Sequence, residues 1–105
     1  MSQNNRTGDL DPFAIDLVMR AEQLSFSEVL ELCGSRSGLL GICGYSDMRD
    51  IEEQAAAGNE RCVLAIEVLA SAIRDYLGAY VVALGGLDAI SFNGAIVEHS
   101  AKVRL

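Results

Sequence analysis

Long apolar runs and an excess of positive charge are both missing from this chain of 105 residues. No apolar stretch approaches the roughly 18 residues that a bilayer-spanning helix needs, so a membrane protein is not expected. Eight Lys and Arg residues stand against fifteen Asp and Glu residues, which gives a formal net charge of −7. That charge repels nucleic acid and anionic membrane surfaces, so neither is an expected partner.

Metal and redox spacings are missing as well. The three cysteines, Cys33, Cys43 and Cys62, have no CxxC spacing and stand among small apolar residues, which favours buried reduced thiols over a metal or redox site. The polar N-terminal residues 1–9 contain no hydrophobic signal-peptide core. Reduced thiols and the lack of a signal together predict a cytoplasmic protein.

Histidine is nearly absent, since His99 is the one such residue in the sequence. It is therefore the candidate for a general base near neutral pH. No nucleophile motif stands beside it, so an ordinary residue at a helix start is the simpler interpretation. Asp9 and Asp11 could form an acid/base or metal pair, but a helix cap explains Asp11 better.

Hydrophobic residues, by contrast, make up half of the chain. A length of 105 residues predicts one domain with a single modest core. The surplus of apolar surface predicts a contact with a partner. No internal repeat or low-complexity segment is present, so repetition cannot supply that contact.

Capping signals predict two helices in the first third of the chain. Asp11 can accept hydrogen bonds from free amides and Pro12 suits the first helical position, so a helix begins there. Ser25 and Glu28 form a capping box for a second helix, which Gly34 is expected to end. The apolar face of the first helix consists of Ala14, Leu17, Val18 and Ala21.

Further signals predict a short polar helix over 47–57 and a long helix over 60–84, capped by Asn59 and ended by Gly85. The acidic run 50–53 is expected to be a solvated face of the short helix. The long helix should be buried on most sides, because its polar positions form one narrow stripe. That stripe consists of Glu60, Glu67, Ser71 and Arg74.

Between these helices, residues 35–46 are small and glycine-rich and predict a compact loop or a short turn of helix. Residues 87–92 predict a short strand, and 96–105 a final helix. The fold class is therefore α+β and mostly α-helical, with about five helices and one short strand near 87–92. A lone strand needs a sheet, which again points to a partner.

Four ordered segments resemble the acetate and propionate kinase family of the actin-like sugar-kinase superfamily. They are R-T-G-D-L-D-P at 6–12, S-G-L-L-G at 37–41, D-M-R-D at 47–50, and the run 76–100, which ends in F-N-G-A-I-V-E-H-S. The family reads approximately F-T-G-G-I-G-E-N-S in that last part. The resemblance implies that residues 1–105 are a partial C-terminal domain of the actin-like ATPase type.

The resemblance also implies a reaction, in which ATP phosphorylates a short-chain carboxylate to an acyl phosphate with Mg²⁺ assistance. Arg6 matches the arginine that stabilises the transferring phosphoryl group, although a surface arginine is the alternative in the isolated chain. Asp47, Met48 and Arg49 match the segment that lies against adenosine. The glycine-rich segment that wraps the nucleotide corresponds to Gly94, Ala95, Ile96 and His99. ATP or ADP and Mg²⁺ are thus the implied ligands.

Two functional classes remain open. The first is a kinase remnant that keeps nucleotide affinity but is inactive without a separate N-terminal kinase half, which the chain lacks. The second is a non-catalytic dimerisation module that forms a homodimer. Ala95 and Val97 stand where the family has glycines, and side chains there restrict close approach of the backbone to a ligand, which favours the second class.

Overall fold

The computed structural model describes residues 4–94 and Ser100. This part of the chain is mostly helical, with α1 (Phe13–Glu22), α2 (Phe26–Ser35), α3 (Gly38–Cys43), α4 (Met48–Ala56) and α5 (Glu60–Leu84) in that order. Four of these correspond to predicted helices. The short α3 occupies the predicted loop or short turn of helix. The predicted helix over 96–105 lies outside the described residues except for Ser100.

Local side-chain caps begin the first two helices, as predicted. Asp11 Oδ1 accepts a hydrogen bond from the Phe13 amide at 3.0 Å. At α2 both halves of the capping box are formed, because Ser25 Oγ accepts from the Glu28 amide at 3.3 Å and the Glu28 carboxylate accepts from the Ser25 amide at 2.7 Å. The predicted stop at Gly34 is wrong, since α2 continues to Ser35. A glycine costs a helix only about 1 kcal/mol relative to alanine, which neighbouring turns can offset.

The core lies where α3 and α4 pack against the first half of α5. Asn59 caps α5 as predicted, with Oδ1 accepting from the amides of Arg61 and Cys62. All three cysteines are free thiols; Cys43 and Cys62 are buried and Cys33 is half-buried. The buried cluster consists of Leu39, Cys43, Met48, Ile51, Cys62, Ala65 and Leu69.

The second half of α5 is not buried, contrary to the prediction. Its polar stripe is exposed as expected, but the apolar side chains beyond Ala70 are exposed or only half-buried too. Val82 is 82% exposed and Leu84 is 73% exposed. The prediction fails because the core that α3 and α4 form against this helix is confined to its first half, where the last buried position is Ala70. The apolar face of α1 is uncovered in the same way at Leu17.

The predicted strand over 87–92 is also wrong. Gly85 ends α5 with φ of 74°, as expected, and the chain then continues without regular structure to Gly94. A strand exists only when its amides and carbonyls pair with a neighbouring strand. Residues 4–94 supply no such neighbour. Among the helices of this part of the chain, none has the length and apolar character to cross a membrane.

Candidate functional site

The segment that carries Arg6 lies on the corner between α2 and α3. The backbone amide of Ser37 donates to the carbonyl of Asn5, and the amide of Leu40 donates to the carbonyl of Asn4, both at 2.8 Å. These two bonds join the first predicted site segment to the S-G-L-L-G segment. Arg6 follows directly and its side chain is exposed.

Two further bonds hold the chain after Arg6. The Thr7 amide donates to the Cys33 carbonyl at 2.9 Å. The turn that follows uses a positive φ of 72° at Gly8, a conformation that glycine adopts without steric cost. Asp9 Oδ2 then accepts a hydrogen bond of 2.5 Å from the hydroxyl of Tyr76 on α5. Arg6 therefore stands in a segment that is anchored on both sides.

A long-range contact brings the Asp-Met-Arg segment to the same corner. The side-chain amide of Asn4 donates to the carbonyl of Ser46 at 2.8 Å. Ser46 immediately precedes Asp47, so the segments of Arg6 and of Asp47 meet through this bond. The structure thus brings the first three family-like segments together at this corner, and the fourth meets the first through Tyr76 and Asp9.

Asp47 and Arg49 form an ion pair at the start of α4. The guanidinium donates through Nε to Asp47 Oδ1 at 3.0 Å and through Nη2 to Oδ2 at 2.6 Å. Asp47 Oδ1 also caps the helix by accepting from the Arg49 backbone amide at 2.9 Å. The hydrogen bonds from the Arg49 side chain, and next from its backbone, lower the pKa of Asp47 to about 2. The Arg49 side chain is 87% exposed and can reach a ligand without breaking the fold.

The side chain of Met48 belongs to the hydrophobic core. It is buried with Leu39 and Ile51 in the cluster between α3, α4 and α5. This packing fixes the start of α4 between Asp47 and Arg49.

The acidic run 50–53 is only partly the solvated face that was expected. Ile51 is fully buried and Glu52 is half-buried, and the Glu52 carboxylate accepts a hydrogen bond from the buried hydroxyl of Ser100. That bond brings the end of the glycine-rich segment against α4. Gly94 is exposed with φ of 117°, where a side chain would be strained. Ala95, Ile96 and His99 lie outside the described residues.

An open cleft of about 430 Å³ lies beside the Arg6 segment. Gly41 is one of its lining residues, and a Cβ there would approach the Arg36 carbonyl oxygen to 3.2 Å, a tight contact that requires a small shift of the backbone. The cleft is lined by Thr7, Arg36, Ser37, Gly38, Gly41 and Ile42. Within residues 4–94 and Ser100, no group of three or more His, Cys, Asp or Glu side chains is placed to hold a metal ion.

Sequence patterns missed the contacts that build this site. Asn4 and Ser46 are 42 residues apart, and Asp9 and Tyr76 are 67 apart. Neither bond follows a helical or strand spacing, so local periodicity carries no signal for it. The resemblance of the four segments to the kinase family indicated that they belong to one site. It did not show which side chains are in contact.

The comparison with known proteins agrees with this arrangement. The family model of the acetokinase family matches residues 2–105. The chain belongs to the acetokinase family. It is 45% identical over 105 residues to the acetate kinase of Desulforamulus reducens, covering 99% of this chain and 26% of that protein. It is also 45% identical over 100 residues to the propionate kinase of Yersinia enterocolitica, covering 94% of this chain and 24% of that protein.

Solved structures of this acetokinase family show the same fold. The acetate kinase of Porphyromonas gingivalis superimposes with a TM-score of 0.92 at 38% identity, covering 99% of this chain and 26% of that one. The propionate kinase of Francisella tularensis gives the same TM-score at 33% identity, with 99% and 27% covered. The chain thus spans about a quarter of the length of the acetokinase relatives that it matches.

Proposed function

We propose that this chain is one part of an ATP-dependent carboxylate kinase and is inactive alone. The parent reaction transfers the γ-phosphoryl group of ATP to a short-chain carboxylate and yields an acyl phosphate and ADP. The observation that carries the proposal is the hydrogen bond from Asn4 to the Ser46 carbonyl. It joins the segment of the proposed phosphoryl-stabilising Arg6 to the segment of the proposed adenosine site.

Arg6 is the proposed catalytic side chain. The transferring phosphoryl group carries charge on its equatorial oxygens, so positioned positive charge supplies most of the catalysis. A guanidinium is planar, permanently charged and suited to two-point contact with such oxygens. Arg6 is exposed at the domain edge, while the backbone on both sides of it is held by hydrogen bonds.

The proposed adenosine half-site comprises Asp47, Met48 and Arg49 together with Gly94, Ala95, Ile96 and His99. The ion pair of Asp47 with Arg49 fixes the first turn of α4. The bond between Ser100 and Glu52 supports this half-site by holding Ser100, the last residue of the family-like run, against α4. In this assignment residues 1–105 are a partial C-terminal domain of the actin-like ATPase type, acting in the cytoplasm.

A separate N-terminal kinase half is the partner that this function requires. Family membership implies Mg²⁺ with the nucleotide, but the described residues contain no ligand set of their own for the ion. The chain also spans only about a quarter of its relatives. The carboxylate-binding groups are proposed to belong to that other half.

Calorimetric titration with Mg-ADP tests the half-site. We expect saturable binding that Arg49→Ala weakens several-fold, because the exposed guanidinium is lost. Arg20→Ala is the matched control, since Arg20 forms a similarly exposed ion pair with Asp16 on α1, 2.8 Å long. A folded chain that gives no heat up to millimolar nucleotide would contradict the proposal.

Complementation tests the kinase assignment. The chain is mixed with a second chain that carries the remaining part of the Desulforamulus reducens acetate kinase, and acyl phosphate is trapped as its hydroxamate. We expect activity only in the mixture, and none when the chain carries Arg6→Ala. A mixture that binds but stays inactive would contradict the kinase assignment, and undiminished activity with Arg6→Ala would exclude a catalytic role for Arg6.

A non-catalytic homodimerisation module is the second candidate. The apolar side chains in the second half of α5 favour it, because a helix that is apolar on several sides is normally covered. Sedimentation at micromolar concentration separates the two cases. A species of twice the 11.2 kDa chain mass supports the dimer, and a monomer at every concentration rules it out.

A further inference from the structure

The hydroxyl of Tyr76 reaches across from α5 to the loop that carries Arg6. It donates to Asp9 Oδ2 at 2.5 Å, over a separation of 67 residues. Hydrogen bonds in which one partner is ionised are shorter and stronger than neutral ones, and this length fits a phenol on a carboxylate. The bond therefore ties the far side of the Gly8 turn to the long helix.

This tie is separate from the hydrophobic core. The buried residues of α5 are Cys62, Ala65, Leu69 and Ala70, and Tyr76 follows them, where the helix is exposed. Its ring contacts that of Tyr80, with centroids 6.4 Å apart. Removing the Tyr76 hydroxyl should therefore leave the core intact, which allows its effect on the Arg6 loop to be measured by itself.

Two further anchors of the loop, at Asn5 and Thr7, are of a different kind. Ser37 and Cys33 contact it through backbone groups that bond Asn5 and Thr7, and these fix where the chain runs. Beyond Thr7 the chain turns at Gly8, a residue with high conformational freedom. A side-chain tie just after this turn limits how far the loop can rotate, and with it the direction of the Arg6 guanidinium.

We propose that Tyr76 is a positioning residue for Arg6 and acts through the carboxylate of Asp9. The inference rests on the proposed role of Arg6 at the transferring phosphoryl group. Tyr76 need not touch the nucleotide in this arrangement. Its hydroxyl holds the Gly8 turn, and the turn limits the directions that the Arg6 guanidinium can take.

The ratio of ATP to ADP affinity measures how well Arg6 is positioned. Only ATP carries the terminal phosphate that Arg6 would meet, so Arg6→Ala should abolish the preference. Tyr76→Phe should lower the ratio of ATP to ADP affinity by roughly 3- to 10-fold, the effect of losing one hydrogen bond, with ADP affinity unchanged. In an Arg6→Ala background the same substitution should have no further effect.

Tyr80→Phe is the matched control, because it removes a hydroxyl from an exposed ring one turn along the same helix. It should leave the ratio unchanged. Equal weakening of both nucleotides by Tyr76→Phe would reveal a purely structural role and overturn the proposal. The proposal would also be overturned if Tyr76→Phe kept the full ratio of ATP to ADP affinity while Arg6→Ala abolished it.

A second measurement keeps this inference apart from the proposed function. Backbone ¹⁵N relaxation of residues 5–9 needs no nucleotide, and we expect lower order at Arg6 and Gly8 in Tyr76→Phe and in Asp9→Ala, but not in Tyr80→Phe. If the unsubstituted chain binds no nucleotide, the proposed function fails. The relaxation data still show whether the bond between Tyr76 and Asp9 orders the loop. Unchanged order parameters of residues 5–9 in both Tyr76→Phe and Asp9→Ala would overturn the proposal.

Discussion

The side-chain amide of Asn4 and the carbonyl of Ser46 are joined by a hydrogen bond of 2.8 Å across 42 residues of sequence. Asn4 stands two residues before Arg6, and Ser46 stands one residue before Asp47. The bond thus fixes the spacing between a proposed phosphoryl contact and a proposed adenosine contact. Its removal tests whether that spacing depends on a single side chain.

We expect Asn4→Ala to lower the free energy of unfolding by about 0.5 to 1 kcal/mol, the usual net value of one partly exposed hydrogen bond. Affinity for Mg-ADP should fall with it, because the segment before Asp47 loses its tie. Asn5→Ala is the control, since Asn5 accepts its bond from Ser37 through a backbone carbonyl that alanine keeps. Equal losses in the two variants would show that the Asn4 side chain has no special role.

The ion pair of Asp47 with Arg49 should make the start of α4 sensitive to acid. The pKa of Asp47 is lowered to about 2, first by the Arg49 side chain and then by its backbone amide. Because the pKa of Asp47 is lower in the folded chain, its ion pair contributes fully to folding stability at pH values above the unfolded-state pKa of 3.8. This contribution is lost as the pH falls towards 2. Carboxyl ¹³C titration of Asp47 should therefore show a midpoint near the lower value.

Arg49→Gln should raise that midpoint towards the ordinary value of an Asp side chain, because the first cause of the shift is removed. The backbone bond persists, so the return should be incomplete. An unchanged midpoint would mean that the guanidinium does not contact Asp47 in solution.

The core at the first half of α5 should dominate stability. Leu39 is fully buried, so Leu39→Ala should cost about 2 to 5 kcal/mol, the range for deleting a buried leucine. Val82→Ala on the exposed half of α5 should change the free energy of unfolding by less than about 0.5 kcal/mol. Urea unfolding followed by circular dichroism measures both. Comparable costs would show that the second half of α5 is covered in solution.

The exposed half of α5 should control association. Val82→Lys places a charge among exposed apolar side chains, and we expect it to weaken any self-association at least 10-fold without lowering the urea midpoint. Sedimentation velocity over a concentration series measures this. Glu67→Lys, on the exposed polar stripe, is the control for the change of charge. If both variants weaken association equally, net charge and not the apolar surface is responsible.

The helix starts could be predicted because they depend on nearby residues. Features that depend on packing between distant parts of the chain could not. The caps by Ser25 and Asn59 depend on atoms within three residues, so the sequence reveals them. Burial of α5 and a strand at 87–92 depend on elements that residues 4–94 do not supply, and both predictions were wrong. Ile51 was assigned to a solvated face because its neighbours are acidic, yet it is fully buried and packs with Met48 in the core that joins α4 to α5.

The candidate site was predictable in its segments but not in its contacts. Resemblance grouped Arg6 with Asp47 and Arg49, and the structure places these segments at one edge. The resemblance did not indicate that the Met48 side chain is buried in the core. Sequence alone does not show whether an apolar residue within a motif faces a ligand or the core. Nor did the resemblance show the tie from Tyr76 to Asp9.

The division of α5 into a covered half and an uncovered half has a consequence inside a cell. Chaperones and proteases recognise apolar segments of helix that are left open, and they compete for them with proper partners. A chain with Tyr80, Val82 and Leu84 uncovered would be retained or degraded whenever nothing covers it. Its abundance would then follow the supply of its partner more closely than its own rate of synthesis.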